Sequence, residues 1–337
     1  MKLTTRQIGS TDLKVPTLGF GGAPLGGLMN AIDPQEAAET LRAGFDFGMT
    51  YVDTAPFYGF GRSERLVGDG VRGRDYTVST KVGRLLKPGH AADPAAMGWP
   101  DPLPFHPIYD YSYEGVMRSV EGSFQRLGLD RIDILYVHDI GEVTHGAENT
   151  RHFDDLQAGG YRALEELRRA GVIKAIGLGV NEEQACLDAL EIGDWDVFLL
   201  AGRYTLLEQA PLNGLMKICL DRGMSIVLGG PFNSGILVGG TTWNYDEAPG
   251  DVIAKTRALT EVCRTYDVPL AAAALQFPLG HDAVASVIPG LRTRDELAAT
   301  QTWISHDIPQ ELWAELKDKG LMAADAPVPL SNPYRAD

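Results

Sequence analysis

Residues 51–59 read YVDTAPFYG. Two β-favouring residues lead into a carboxylate, Asp53. The chain then breaks at Pro56 into a turn that carries Tyr58 and Gly59. A short apolar run that ends on a polar residue before a Pro/Gly turn predicts a strand whose end opens onto a loop. The pattern recurs at 76–83, YTVSTKVG, ending on Lys81, and at 132–139, IDILYVHD, ending on His138. Five more runs complete the series: TLGFGG (17–22), AIGLGV (175–180), VFLLAGRY (197–204), SIVLGGP (225–231) and AVASVIPG (283–290). Helical patterns lie between them. Asp33 predicts an N-cap with Pro34 at the first helical position, and Val116, Val120, Phe124 and Leu127 share one helix face. Eight strands alternating with helices predict an α/β chain folded as a (β/α)8 TIM barrel, with its functional loops at the C-terminal ends of the strands. The alternation alone is also compatible with a doubly wound sheet.

Ahead of the first run, TTRQIGSTDLKV (4–15) predicts an N-terminal β-hairpin that caps one end of the barrel, turning at Gly9 to Asp12. Two long irregular stretches follow the third and fourth strands. One runs from Leu85 to about Asp110 and holds six prolines; the other runs from Asp139 to about Asp155. Long loops at that face are where a barrel builds its pocket. The tail from Ala323 onward is Pro-rich and predicts a surface strap that could also cover the site. No repeat or low-complexity tract interrupts the series, so residues 1–337 are read as a single barrel domain.

The composition narrows the partners. The 337 residues carry a net charge of −15, which argues against nucleic acid or an anionic membrane. No run reaches the roughly 20 apolar residues of a membrane span. The N-terminus, MKLTTRQIGS, lacks an apolar signal region, so the chain is read as cytoplasmic. Cys186, Cys219 and Cys263 have neither paired nor metal-ligand spacing and are read as reduced thiols. His145 and His152 lack a third ligand at suitable spacing; they are read as solvated loop residues, and no metal site is expected.

The strand ends carry chemistry. A tyrosine with its ordinary pKa of about 10 is a poor proton shuttle at neutral pH. A nearby ammonium favours the phenolate. Lys81 is expected to supply that charge to Tyr58, Asp53 to hold Lys81, and His138 to orient a substrate oxygen. These four are the expected catalytic residues of a hydride-transfer reaction with a dissociable cofactor, since no side chain carries hydride. GFGGAPLGG (19–27) is not a Rossmann fingerprint, because Pro24 stands where the third glycine should be and no βαβ unit precedes it.

The set DTAPFYG, then TK, then LYVHD, resembles the aldo-keto reductase family, and the likeness runs from LGFGGAPLG (18–26) to VIPGLRTRDEL (287–297). GLGVN and GRYTLLEQ point to a branch that looks like bacterial D-threo-aldose 1-dehydrogenases. The resemblance implies a dinucleotide lying across the C-terminal face. Carried over residue by residue, it puts Gly21 and Gly22 beneath the nicotinamide, Asn181 on the carboxamide and Tyr204 against the ring. It puts the loop Leu228, Gly229, Gly230, Pro231, Phe232, Gly235 and Leu237 around the pyrophosphate. Pro289, Gly290, Arg292, Glu296 and Thr300 fall at the adenosine end. Ala201 replaces a usual glutamine, and Arg203 replaces a common acidic residue with no evident role. Gly290 and Glu296 replace the basic residues of NADP-preferring relatives. A glutamate repels a 2′-phosphate and accepts from a ribose hydroxyl, so NAD is expected to be preferred, with some use of NADP.

NAD preference suits a catabolic dehydrogenase. The expected function is oxidation of an aldose at C1 to its lactone, with sugars of the L-fucose, D-arabinose or D-galactose type. The alternatives are pyridoxal 4-dehydrogenation in a similar pocket and a non-catalytic nucleotide-binding regulatory subunit of the same fold. Trp99, Phe105 and His106 of the proline-rich loop are the expected substrate residues. The partner is a small sugar or pyridoxal-like molecule, and the oligomeric state expected from the resemblance is monomer or homodimer.

Overall fold

The alternating patterns fold as predicted in a computed structural model that describes residues 2–335. The eight runs become the parallel strands β3 (Phe20–Gly21), β4 (Tyr51–Asp53), β5 (Thr77–Val82), β8 (Ile134–His138), β9 (Ala175–Val180), β10 (Val197–Ala201), β11 (Ser225–Gly229) and β14 (Val284–Ile288), each hydrogen-bonded to the next in that order. Parallel bridges from Leu18 to Val287 and from Gly21 to Gly290 bring the first strand to the last and close the circle. The fold is therefore a barrel and not the open doubly wound sheet. Asp33 caps the helix Pro34–Phe47 by accepting from the Gln35 N–H at 2.8 Å, with Pro34 at its start.

Two apolar layers follow from the strand period of two. Ile134 and Tyr136 on β8, and Val197 and Leu199 on β10, face inward and fill the barrel. Leu135, Val137, Phe198 and Leu200 face outward and are fully buried beneath the helices. Burial of each such aliphatic side chain contributes about 1.5–3 kcal/mol. Strands β1 (Thr5–Gln7) and β2 (Lys14–Pro16) form the predicted hairpin, and its Ile8, Leu13 and Val15 plug the N-terminal mouth beside Tyr51. The tail packs at that same end. The Thr4 N–H donates to the Tyr334 carbonyl, and the Tyr334 hydroxyl donates to the Leu275 carbonyl at 2.7 Å. It does not cover the catalytic mouth, because its Asn332 is tied to the carbonyls of Ile304 and His306.

The two irregular stretches prove more ordered than predicted. Arg84–Pro88 (β6) and Phe105–Tyr109 (β7) pair antiparallel, so the proline-rich loop leaves the barrel as a hairpin. Its prolines at 88 and 107 sit within this two-stranded edge ribbon, where a missing N–H is tolerated. The second stretch winds into the short helices Glu142–His145 and Asn149–Asp155. His152 is buried and His145 half-buried, so neither is a freely solvated loop residue. Their rings pack 4.1 Å apart against Tyr109 and Tyr111, and burial with the His152 charge pulls His145 down to about 4. The three cysteines are free and buried.

Candidate active site

Strands β4, β5 and β8 are neighbours, so Asp53, Lys81 and His138 arrive together at one end of the barrel. The Lys81 ammonium donates to Asp53 Oδ2 at 2.6 Å and to the Thr54 carbonyl at 2.9 Å. Ser79 donates to Asp53 Oδ1 at 2.7 Å. Both partners of this ion pair are buried, at 3% and 1% exposure. Burial pulls the acid up and the lysine down, and their mutual attraction opposes both shifts. Tyr58 projects from the turn after β4. Lys81 Nζ lies 4.6 Å from its ring centroid, and the His138 ring lies 5.6 Å away at nearly a right angle. All but Asp53 line one cavity of about 420 Å³.

The expected direction of the Tyr58 shift needs correction. Burial, followed by Asp53, Asp139 and Tyr245, raises the phenol well above its ordinary value, and the cation opposing the rise is Arg84. The Lys81 charge is spent on Asp53 at contact distance, so its field at the phenol is largely cancelled. His138 is held far below its ordinary value by burial, Arg84 and Lys81, and is therefore a neutral imidazole at neutral pH.

Several cavity residues escaped the sequence reading. Gly83, at φ +96°, turns the chain out of β5 where a Cβ would meet the Tyr111 ring at 2.2 Å, and it delivers Arg84 to the cavity wall. Asp139, directly after His138, adopts φ +41° and pairs with Arg84 at 2.7 Å. Phe57 and Tyr245 also line the cavity. Glycine and turn signals bracket these positions, but none announces a buried charge pair.

The expected ligand residues divide. Asn181 and Trp99 line the cavity. Arg203 gains a role: its Nε donates to the Asn181 carbonyl at 2.6 Å and its Nη1 pairs with Glu208, fixing the end of β9. Tyr204 is not at the cavity. The chain turns at Gly202, φ +69°, so it is Ala201 that faces inward, while the Tyr204 ring is buried against Phe277 and His281. Phe105 and His106 lie outside too, paired with Pro88 and Lys87 along the hairpin. Gly21 and Gly22 are glycines for the barrel's sake, because a Cβ would strike the Ile288 carbonyl at 2.9 Å and the Asp53 carbonyl at 2.4 Å. Pro289 accepts from the Gly21 N–H, and a Cβ at Gly290 would meet the Pro24 ring at 2.7 Å.

Along 228–237, Leu228 and Leu237 point into the helix layer and Pro231 is buried. Phe232 packs edge-on to Trp303. Gly229 faces Leu199 and Ala201 at the cavity. Gly230, Asn233, Ser234 and Gly235 all take positive φ, a backbone shape that can cup an anion. Farther along the same rim, Glu296 accepts from the Arg292 N–H at 2.6 Å, while Thr293 accepts from the Glu296 N–H. This reciprocal cap opens the helix Arg294–Ile304, whose Thr300 hydroxyl is buried without a partner. The cupped loop and the Asn181 side chain at the cavity fit an extended dinucleotide.

Tyr245 sits at the tip of a two-residue hairpin between β12 (Thr242–Trp243) and β13 (Asp246–Glu247). Asn244 and Tyr245 take φ +49° and +66°, and the Tyr245 hydroxyl accepts from Asn181 Nδ2 at 3.4 Å. A bulky residue there is strained where Asn-Gly would be relaxed. Tyr245→Gly is expected to raise stability by up to about 1 kcal/mol and to lower turnover. Thermal melts and kcat/KM check both; a variant that melts lower and turns over normally contradicts this use of strain.

A family profile described as Aldo/keto reductase family matches residues 17–320. The chain is 46% identical to a pyridoxal 4-dehydrogenase of Microbacterium luteolum, covering 94% of this chain and 98% of that one. It is 36% identical to a D-threo-aldose 1-dehydrogenase of a Pseudomonas species, covering 96% and 99%. Among solved structures, the holo form of the aldo-keto reductase AKR11C1 from Bacillus halodurans superposes with a TM-score of 0.75 at 25% identity, covering 98% of this chain and 99% of that one. No helix among the described residues is long and apolar enough to cross a membrane.

Proposed function

The chain belongs to the aldo/keto reductase family, and from that membership we propose that it oxidises a cyclic hemiacetal carbon to a lactone, with a nicotinamide dinucleotide as hydride acceptor. The observation that carries the reading is the convergence of Tyr58, Lys81 and His138 on one cavity, with Asp53 locked beneath Lys81. The two named relatives support the choice of hemiacetal. An aldose closes on itself to a hemiacetal at C1. Pyridoxal does the same, because its C4 aldehyde lies beside a hydroxymethyl group. Loss of hydride from carbon and a proton from oxygen turns either into a lactone. Identity of 46% favours the ring-closed pyridoxal as substrate, and the Phe57 and Trp99 rings, packed edge to face, give the cavity an aromatic wall. The aldose reading keeps the support of the 36% relative.

In this mechanism Tyr58 takes the hydroxyl proton. Neutral His138 donates to or accepts from the same oxygen and sets the reacting carbon. Lys81, held by Asp53 and the Thr54 carbonyl, keeps a cation beneath the phenol ring. The dinucleotide, when bound along the 228–237 loop, supplies the oxidised nicotinamide that accepts hydride. A screen of pyridoxal and free aldoses with NAD and NADP, read at the NADH band and by lactone analysis, tests the proposal. Failure of every hemiacetal in that screen rejects it.

We read the cofactor as NAD in preference to NADP, because Glu296 replaces the basic residue that the family resemblance assigns to the adenosine end of NADP-preferring relatives. Glu296→Arg is expected to move the NAD/NADP ratio of kcat/KM at least about tenfold toward NADP, at a cost of about 1 kcal/mol from the lost cap. An unchanged ratio places the ribose elsewhere.

A further inference from the structure

We propose that Arg84, with Asp139, is the substrate-specificity element of this cavity, and that it binds an oxygen substituent carried close to the reacting carbon. The inference rests on the hemiacetal reading above and goes beyond it, since it names the part of the substrate that is recognised. Arg84 is 4% exposed, yet it lines the same cavity as Tyr58, Lys81 and His138. Its guanidinium lies 4.1 Å over the Phe57 ring, and Nη2 donates to Asp139 Oδ2 at 2.7 Å. Its Nε is buried with no partner.

Packing alone does not account for this arrangement. A buried donor left without a partner is destabilising, and an apolar side chain of similar volume would fill the space without that cost. Two left-handed positions hold the pair in place, Gly83 before Arg84 and Asp139 itself at φ +41°. Strain of that kind persists where the surroundings over-determine it, as they do at ligand sites. The result is a rigid guanidinium, stacked on an aromatic ring and held beside a carboxylate at the cavity wall. That combination matches a hydroxyl or a phenolate. The closed form of pyridoxal carries such an oxygen at C3, and an aldose carries one at C2. C2 adjoins the sugar carbon that would be oxidised, and in closed pyridoxal only C4 separates C3 from that carbon.

The test compares each substrate with its deoxy partner: pyridoxal with 3-deoxypyridoxal, and D-galactose with 2-deoxy-D-galactose. In the unmodified enzyme the parent compound is expected to be favoured in kcat/KM by about 10- to 100-fold. In Arg84→Met that preference is expected to fall to within about threefold of unity, carried by KM of the parent. Arg84→Lys retains a charge for Asp139 but lacks the planar guanidinium fork, and is expected to fold even where Arg84→Met does not, again with reduced preference. If Arg84 merely positioned Asp139 and His138, parent and deoxy compounds would lose rate equally and the ratio would stand; that outcome overturns the proposal. The pair that gives turnover tells phenolate from sugar hydroxyl. Titration of pyridoxal and 3-deoxypyridoxal by fluorescence quenching on the enzyme with NAD, in all three proteins, reads the same ratio without turnover. A hemiacetal that binds with the Arg84-dependent preference but is not oxidised therefore rejects the reaction and keeps the anchor. Equal binding of the two compounds rejects the anchor alone.

Discussion

Tyr58→Phe is expected to reduce kcat by about 10³- to 10⁴-fold while leaving the dissociation constant of NAD within about twofold. The ring, its contact with the Trp99 ring at 5.8 Å and its place over the Lys81 ammonium all survive the loss of one oxygen. What is lost is the atom that takes the proton. The raised pKa adds a second signature. A phenol held well above its ordinary value is protonated throughout the neutral range, so the phenolate fraction rises about tenfold per pH unit. The rate of oxidation should therefore climb with pH beyond 9 without levelling. Neutral His138 should add no inflection near 6.5. The pH profile of kcat checks both features. A profile flat from pH 7 to 9, or substantial turnover by Tyr58→Phe, would move the proton elsewhere.

Lys81→Met is expected to destabilise the fold by about 3–5 kcal/mol, because it strands the Asp53 carboxylate where 3% of the residue is exposed. The intact pair is worth less than this to stability; the cost comes from an unpaired buried charge. Ser79 still donates to Oδ1, but one hydroxyl does not replace an ammonium. The sign of the pH effect follows. Without Lys81 the folded-state pKa of Asp53 rises further above its unfolded value, so the variant regains stability as pH falls and loses it as pH rises. Urea denaturation at pH 5 and pH 8 measures this, and the deficit should be smaller at pH 5. Pairing the change with Asp53→Leu should recover most of the loss at both pH values. A deficit below about 1 kcal/mol at pH 8 would mean that water reaches Asp53.

How far the site was legible depended on how far each residue lies from a strand end. Asp53, Lys81 and His138 terminate apolar runs, and parallel neighbours in a barrel must bring such ends to one face. Their meeting was readable from order alone. Tyr58 was readable as the turn residue five positions on, although not the direction of its pKa shift, which is set by burial and by Asp139 and Tyr245 arriving from elsewhere. Tyr204 was misread by the turn at Gly202, which sends Ala201 to the cavity and the tyrosine to the outer layer. Phe105 and His106 were misread because their loop zips into a hairpin that carries them away from the mouth.

Sequence by itself determined the eight strands, their order, the hairpin plug and the strand ends that hold Asp53, Lys81 and His138. Apolar period and turn chemistry are local, and a parallel barrel leaves little freedom once they are set. Tertiary structure alone decided which cation governs Tyr58, that Arg84 and Asp139 share the cavity, and that Tyr245 reaches Asn181. Each of these depends on a single left-handed residue or turn redirecting the chain, and on burial that turns a modest charge contact into a dominant one. A one-residue change of direction sends a side chain to the opposite face, and no local pattern of residue types encodes which face that will be.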